Sequence, residues 1–177
     1  MPSLISRLHQ LNDWVALAAG FVLLASVLST LFDIVARQFQ MSLGGTDELS
    51  GYAMAIATSW GMAYTLTNKA HVRIDVIRAQ TSDRIRPLFD CLSITALAGT
   101  ALFIAVKAWP VLEKSIRNNS TANTTLETPL WIPQSLWIIG WAWFAFTAVV
   151  LTASAFWSLM KRDLDAFDAS VGMGESE

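Results

Sequence analysis

The stretch "WVALAAGFVLLASVLSTLFDIVA", residues 14–36, contains one charged residue in 23, Asp33, close to its end. A helix rises about 1.5 Å per residue, so this run is long enough to cross a hydrocarbon core of about 30 Å. It is too long for the apolar region of a cleavable signal peptide, and its small residues 18–20 lie inside it. We therefore predict a transmembrane helix that stays in the protein as an anchor.

Three further apolar runs follow, at about residues 49–68, 88–109 and 135–157. Hydrophobic residues make up 54% of the 177 residues, charged residues 15%, and the mean hydropathy is +0.45. The runs lack the polar face that each helix of a soluble bundle needs. The sequence predicts an all-α integral membrane protein, with four transmembrane helices in one domain over residues 1–162. Residues 163–177 are expected to form a short, acidic, disordered tail.

The distribution of cations predicts the orientation in the membrane, because positively charged flanks stay in the cytoplasm. The link between the second and third runs carries five of them: Lys69, Arg73, Arg78, Arg84 and Arg86. With this link inside, four spans place both termini in the cytoplasm. The opposite side then holds only four cations: Arg37, Lys107, Lys114 and Arg117.

Small and polar residues predict which helix faces meet protein, because large apolar side chains gain nothing from leaving lipid. In the second run, small residues recur every four positions: Gly51, Ala55, Ser59 and Ala63. In the first run, polar residues share one helical face: Ser26, Thr30, Asp33 and Arg37. Both stripes are predicted helix-packing surfaces.

Asp33 and Arg37 stand four residues apart in the favourable acid-first order, and so form a candidate ion pair near the membrane. Glu48, on the same predicted side, is the other possible partner of Arg37. In the alternative interpretation, these charges face only headgroups and water.

Sites for chemistry are not indicated. No span has an ionisable residue near its centre, and the sequence has no Gly-rich phosphate loop and no HExxH pattern. His9 and His71 both lie outside the apolar runs, which disfavours haem held between helices. His71 and Asp75 are too few to hold a metal. We expect no enzymatic activity, no cofactor or metal in this chain, and no binding of nucleic acid.

The segments "FDIVARQF", "TDELSGYAMAIATSWGMAYTL" and "KAHVRIDVI" give the chain a family resemblance. From about Asn12 to Leu159 it resembles the small membrane subunit of the tripartite ATP-independent periplasmic (TRAP) transporters, the DctQ-type family. The positions that match the family pattern are Arg37, Asp47, Glu48, Trp60, Gly61, His71, Arg73 and Asp75. The family often has a Trp just before its acidic pair, whereas this chain has Gly44, Gly45 and Thr46.

The resemblance implies a multi-pass subunit of the bacterial inner membrane, within a heteromeric symporter for organic acid uptake. Its implied partners are a large multi-span permease of the DctM type, a periplasmic substrate-binding protein and membrane lipids. Na+ and substrate are expected in the large permease, and this chain is expected to brace it as a scaffold. Two other functions stay open: a membrane anchor of another complex, such as an oxidoreductase, and an autonomous four-span transporter.

Polar and apolar residues alternate in the segment "AHVRIDVI", residues 70–77. This period of two is typical of an extended segment along the membrane interface. With the family resemblance, His71, Arg73 and Asp75 become candidates for pinning the end of the second helix to the third helix or to the permease.

Overall fold

A computed structural model describes residues 2–41, 44–70, 86–161 and 167 of the chain. The described part is helical apart from turns and one isolated β-bridge, which confirms the all-α prediction. There are four helices in it: α1 (Pro2–Gln38), α2 (Thr46–Thr67), α3 (Arg86–Arg117) and α4 (Trp131–Met160). His71, Arg73 and Asp75 lie outside the described residues.

Within the described part, three helices are long and apolar enough to cross a membrane: α1 from Ile5, α3 and α4. The helix α2 is not among them, because Thr, Ser, Tyr and Gly residues dilute its apolar content. Its 22 residues still give it a length of about 33 Å, which matches a hydrocarbon core. The fourth span therefore stays a prediction, supported by length alone.

The helices pack in the order α1, α2, α4, α3, and the remaining pairs barely touch. Asn12 contacts the end of α2, and Asp33 contacts its start, so α1 and α2 are antiparallel. Ser59 lies against Gly140, and α2 and α4 run parallel. This arrangement is a row with α1 and α3 at its edges. The helix α3 precedes α4 in the sequence. In space, however, α4 lies between α3 and α2.

The main core cluster lies where α2, α3 and α4 meet, and small residues make up much of it. Its fully buried members include Ala63, Ala101, Phe144, Ala148 and Ala155. Small side chains let helix backbones approach closely, which is the usual source of packing energy between helices in lipid. Phe167, within the segment predicted as a disordered tail, is also fully buried in this cluster, so this position packs against the helices.

The edge helix α1 packs through one narrow stripe. Every seventh residue along this stripe is buried or half-buried: Asn12, Ala19, Ser26 and Asp33. A repeat of seven keeps one face of a helix on its neighbour. The opposite side of α1 is covered with exposed large apolar residues, such as Trp14, Phe21 and Leu28. That side is the surface the helix presents to its surroundings.

The two turns between neighbouring helices lie at one end of the row, which we call the turn end (residues 39–41, 44–45 and 118–130). The second turn closes as a small hairpin. The Ala122 N–H donates to the Thr128 carbonyl at 2.9 Å, and the Leu130 N–H donates to the Ser120 carbonyl at 2.9 Å. The α3 helix also runs through Pro110 to Arg117, two turns beyond the predicted span.

Candidate functional site

The first polar cluster of the turn end joins α1 to the start of α2 around Asp33. The side chain of Asp33 is 1% exposed. Arg37 Nε donates to its Oδ2 at 2.8 Å, and the Arg37 terminal nitrogen lies 2.6 Å from the same oxygen. The buried Thr46 hydroxyl donates to that oxygen at 3.0 Å. The structure therefore places Arg37 on Asp33, and Thr46, which the sequence analysis did not single out, completes the cluster.

The second polar cluster joins the start of α2 to the hairpin of residues 118–130 through Glu48. The Tyr52 hydroxyl donates to Glu48 Oε1 at 2.7 Å, and the Thr124 hydroxyl donates to Oε2. Glu48 lies just before the predicted span. The hydrogen bond from Thr124, followed by that from Tyr52, lowers the pKa of Glu48 below its usual value. These two clusters explain how the turn end is held together by polar contacts.

Gly45 occupies a position that no other residue would suit. Its φ of +77° lies in the left-handed region, and a Cβ there would collide with the side chain of Leu126. Leu126 belongs to the hairpin, so the missing bulk at Gly45 allows the two turns to meet.

The other residues of α2 that were predicted to pack or to match the family pattern differ in burial and contacts. Ser59 and Ala63 are buried, Ala55 is half-buried, and Gly51 is exposed with open space around it. Trp60 Nε1 donates to the Leu136 carbonyl of α4 at 3.0 Å. Gly61 also has open space where a side chain would be. Asp47 is exposed in the first turn, where a negative charge favours the positive end of the helix dipole.

Asn12, far from the turn end, is a polar connection that the sequence analysis missed. The Asn12 side chain is fully buried, and its Oδ1 accepts from Trp143 Nε1 of α4 at 2.8 Å. Its Nδ2 donates to Ala63 O and to Thr67 Oγ1 of α2, each at 3.4 Å. One amide thus joins three helices. The signal was available, because Asn12 continues the seven-residue repeat of Ser26 and Asp33 towards the start of α1.

Gly140 of α4 is a second missed residue. A Cβ at this position would lie 2.8 Å from Trp60 Cδ1 and 2.9 Å from Ser59 Cβ. The closest approach between α2 and α4 therefore depends on the absence of a side chain on Gly140, and the small Ser59 supplies the other half of the contact.

Several polar side chains of the described ranges take part in contacts between helices or between a helix and a turn. Carboxylates at the turn end bond to Arg37, Thr46, Tyr52 and Thr124, and the buried amide of Asn12 bonds to α2 and α4. Among the same residues, no group of three or more His, Cys, Asp and Glu side chains could hold a metal ion. The fold and the site thus define a helical membrane protein in which polar groups fix helix to helix.

The chain belongs to a known family of that class. It matches the DctQ component of the tripartite ATP-independent periplasmic transporters over residues 26–158, which is most of its length. It is therefore a TRAP transporter small membrane subunit, as the resemblance in the sequence indicated. Among curated proteins and solved structures, none matches the chain.

Proposed function

We propose that this subunit braces the large permease of a Na+-coupled TRAP transporter for organic acids in the bacterial inner membrane. Membership of the DctQ family supports a role within a tripartite transporter. In this proposal the substrate and Na+ bind to the large permease, and a periplasmic binding protein delivers the substrate. The small subunit itself has no catalytic role and no ion site.

One observation carries the bracing role: buried polar contacts fix α1, α2 and α4 to each other near both ends of the row. At the turn end, Asp33 of α1 holds Thr46 of α2, and at the other end Asn12 joins α1 to α2 and α4. A part that changes shape during transport would need weaker internal contacts, because motion draws on regions of low local stability. The arrangement suits the fixed part of a transporter.

The test is reconstitution in proteoliposomes with an imposed Na+ gradient. Vesicles would hold this subunit alone, the large permease alone, both together, or neither, with the cognate binding protein and labelled organic acid outside. We expect uptake only where both subunits are present. Na+-driven uptake by the small subunit alone would contradict the proposal, and so would full uptake by the large permease alone.

We also propose that all four helices span the membrane and that both termini lie in the cytoplasm. The turn end then faces the periplasm, where the binding protein must dock. Lys and Arg residues support this orientation, since they concentrate at the opposite end. A mild-detergent purification checks the partner. Recovery of a redox enzyme in place of a large permease would favour the alternative function as an oxidoreductase anchor.

A further inference from the structure

The four cations near the turn end fall into two kinds. Arg37 is bonded to Asp33, and Arg117 is bonded to Glu113, each across one helical turn. Lys107 and Lys114 have no carboxylate partner within the described ranges. The charges of Lys107 and Lys114, near a predicted membrane interface, are therefore not neutralised by a carboxylate, whereas those of Arg37 and Arg117 are.

Lys107 and Lys114 lie on an exposed surface of α3. They are seven residues apart, so they lie on the same face of the helix. The neighbouring apolar side chains on this face are largely exposed, with Phe103 at 63%, Val106 at 67% and Val111 at 52%. The Lys107 ammonium lies 5.8 Å from the centre of the Phe103 ring. Since α3 is an edge helix that packs on α4, acyl chains have access to this side.

The depth of the two lysines matches the headgroup layer. The apolar run of α3 ends at Trp109, which is 61% exposed, and exposed Trp rings favour the boundary between acyl chains and headgroups. Lys107 lies just inside this boundary and Lys114 just outside it. Both side chains are long enough to turn towards the boundary while their stems stay in apolar surroundings.

A groove of about 380 Å³ beside Lys114 adds polar groups for a headgroup. It is lined by Pro110, Glu113, Lys114, Arg117 and Asn118. Pro110 has no N–H, so it does not donate the usual helical hydrogen bond to the carbonyl of Val106. The Glu113 carboxylate in this groove is already paired with Arg117, so it does not cancel the charge of Lys114.

We propose that the turn-end part of α3 binds one anionic phospholipid, with its phosphodiester between Lys107 and Lys114. The acyl chains then lie along Phe103 and Val106, and the headgroup hydroxyls enter the groove at Pro110. A lipid with an ammonium in its headgroup fits less well, because that cation would meet Lys114. All the residues of the proposed site belong to this chain.

The test uses the full chain in nanodiscs of zwitterionic phosphatidylcholine, with a trace of photoreactive phosphatidylglycerol. After illumination, mass spectrometry locates the lipid adducts along the chain. In the wild type we expect adducts within residues 103–118. The double variant Lys107→Gln, Lys114→Gln is expected to bind about thirtyfold more weakly at this site, since each cation near the surface adds about a fivefold preference for anionic lipid.

Two control variants separate charge from damage to the fold. Lys107→Arg with Lys114→Arg keeps both charges and should keep the adducts. Lys161→Gln removes a cation at the other end of the row, where the ammonium also lies near an aromatic ring, Trp157, at 5.0 Å. It should leave adducts within 103–118 unchanged.

Competition identifies the ligand. Unlabelled phosphatidylglycerol should displace the probe, whereas phosphatidylethanolamine and inorganic phosphate should not. Adducts at 103–118 that persist in the Lys→Gln double variant, or that inorganic phosphate removes, would overturn the proposal. Equal displacement by phosphatidylethanolamine would also overturn it.

Discussion

At the scale of single residues, two ion pairs with the same sequence spacing contribute differently to the stability of the protein. Arg37 with Asp33 and Arg117 with Glu113 are both pairs four residues apart on one helix. The Asp33 side chain is 1% exposed, whereas that of Glu113 is 54% exposed. A buried carboxylate depends on its partners because it has lost water, while an exposed pair competes with water and salt.

Arg37→Gln should destabilise the protein clearly more than Arg117→Gln. Loss of a charged hydrogen-bond donor to a buried carboxylate costs about 2 kcal/mol in free energy of unfolding. Loss of the exposed pair costs about 0.5 kcal/mol or less. Unfolding of the full chain in mild detergent, followed by the change in helical circular dichroism, measures both. Equal effects of the two variants would mean that Asp33 does not need Arg37.

Glu48 should make the turn end sensitive to acid. Its pKa is lowered in the folded protein, so its contribution to stability is complete above the unfolded pKa of about 4.3 and is lost as the pH falls through the lower folded value. A spin label at Asn123 of the hairpin should therefore become more mobile as the pH falls through the lowered pKa of Glu48. The hairpin is expected to detach from α2 when the carboxylate is protonated.

The control for this pH effect is Glu48→Gln, which has nearly the same shape but does not titrate. In this variant the spin label should be mobile at neutral pH already and should change little with acid. A transition of the same size in Glu48→Gln would show that another group controls the hairpin.

Residue patterns in the sequence revealed part of this site. The acid-first spacing of Asp33 and Arg37 predicted a pair that the structure contains. Asn12 was missed because it precedes the apolar run and was not compared with the polar residues further along α1. Thr46 and Thr124 could not be found, because their contacts depend on two turns meeting in space, which no local spacing encodes.

At the scale of helices, the contact between α2 and α4 depends on small residues at one crossing. Gly140 faces Ser59 and Trp60 with no room for a methyl group. By contrast, Gly61 and Gly51 of α2 have open space. The stripe of small residues read from the sequence thus contains positions of different kinds, and only the structure distinguishes them.

Gly140→Ala should lower the free energy of unfolding by about 1 to 3 kcal/mol, as expected for an added group in a filled helix contact. Gly61→Ala is the matched control. It adds the same methyl group to open space, and the better helix propensity of Ala should stabilise the protein by up to about 1 kcal/mol. Thermal unfolding of the two variants in the same detergent measures the difference. A neutral Gly140→Ala would mean that α2 and α4 can separate without cost.

Helix positions followed from the sequence more reliably than helix ends did. Apolar runs of about 20 residues predicted where helices lie, because length and composition alone determine a fit to the bilayer. The observed helix ends differ from the ends of the apolar runs because helices continue into polar surroundings. The helix α3, for example, continues past Pro110 to Arg117. A Pro at an exposed position removes one hydrogen bond without forcing the helix to stop.

At the scale of the whole molecule, the membrane topology depends on whether α2 crosses the membrane. It lies between α1 and α4 and ends at the opposite side from the turn end. If α2 is a span, its buried small residues, such as Ala53, Ala57 and Ser59, pack on neighbouring helices, which lowers the hydropathy that the helix needs. A helix in the middle of the row has neighbours on two sides, so a weaker apolar signal is compatible with a span.

Cysteine labelling in cells tests this topology. In a Cys91→Ser background, Thr125→Cys at the turn end should react with a membrane-impermeant maleimide from the periplasmic side. Ala70→Cys, just beyond α2, should react only after the inner membrane is made permeable. The third helix α3 separates these two sites, so α2 is tested by comparing Ala70→Cys with Ser6→Cys, and reaction of those two from opposite sides would show that α2 does not span. Ser6→Cys near the start of α1 should behave like Ala70→Cys.

The order of helices in the row also has a consequence for biogenesis. With the proposed four spans, α1 and α2 can pair during synthesis as soon as both have entered the bilayer. The third helix must then wait in lipid, because its main neighbour is α4, which is synthesised last. Joining α3 to the earlier hairpin is therefore the final step of insertion. A ribosome that stalls before α4 leaves two separate pieces in the membrane, held together only by their connecting segment.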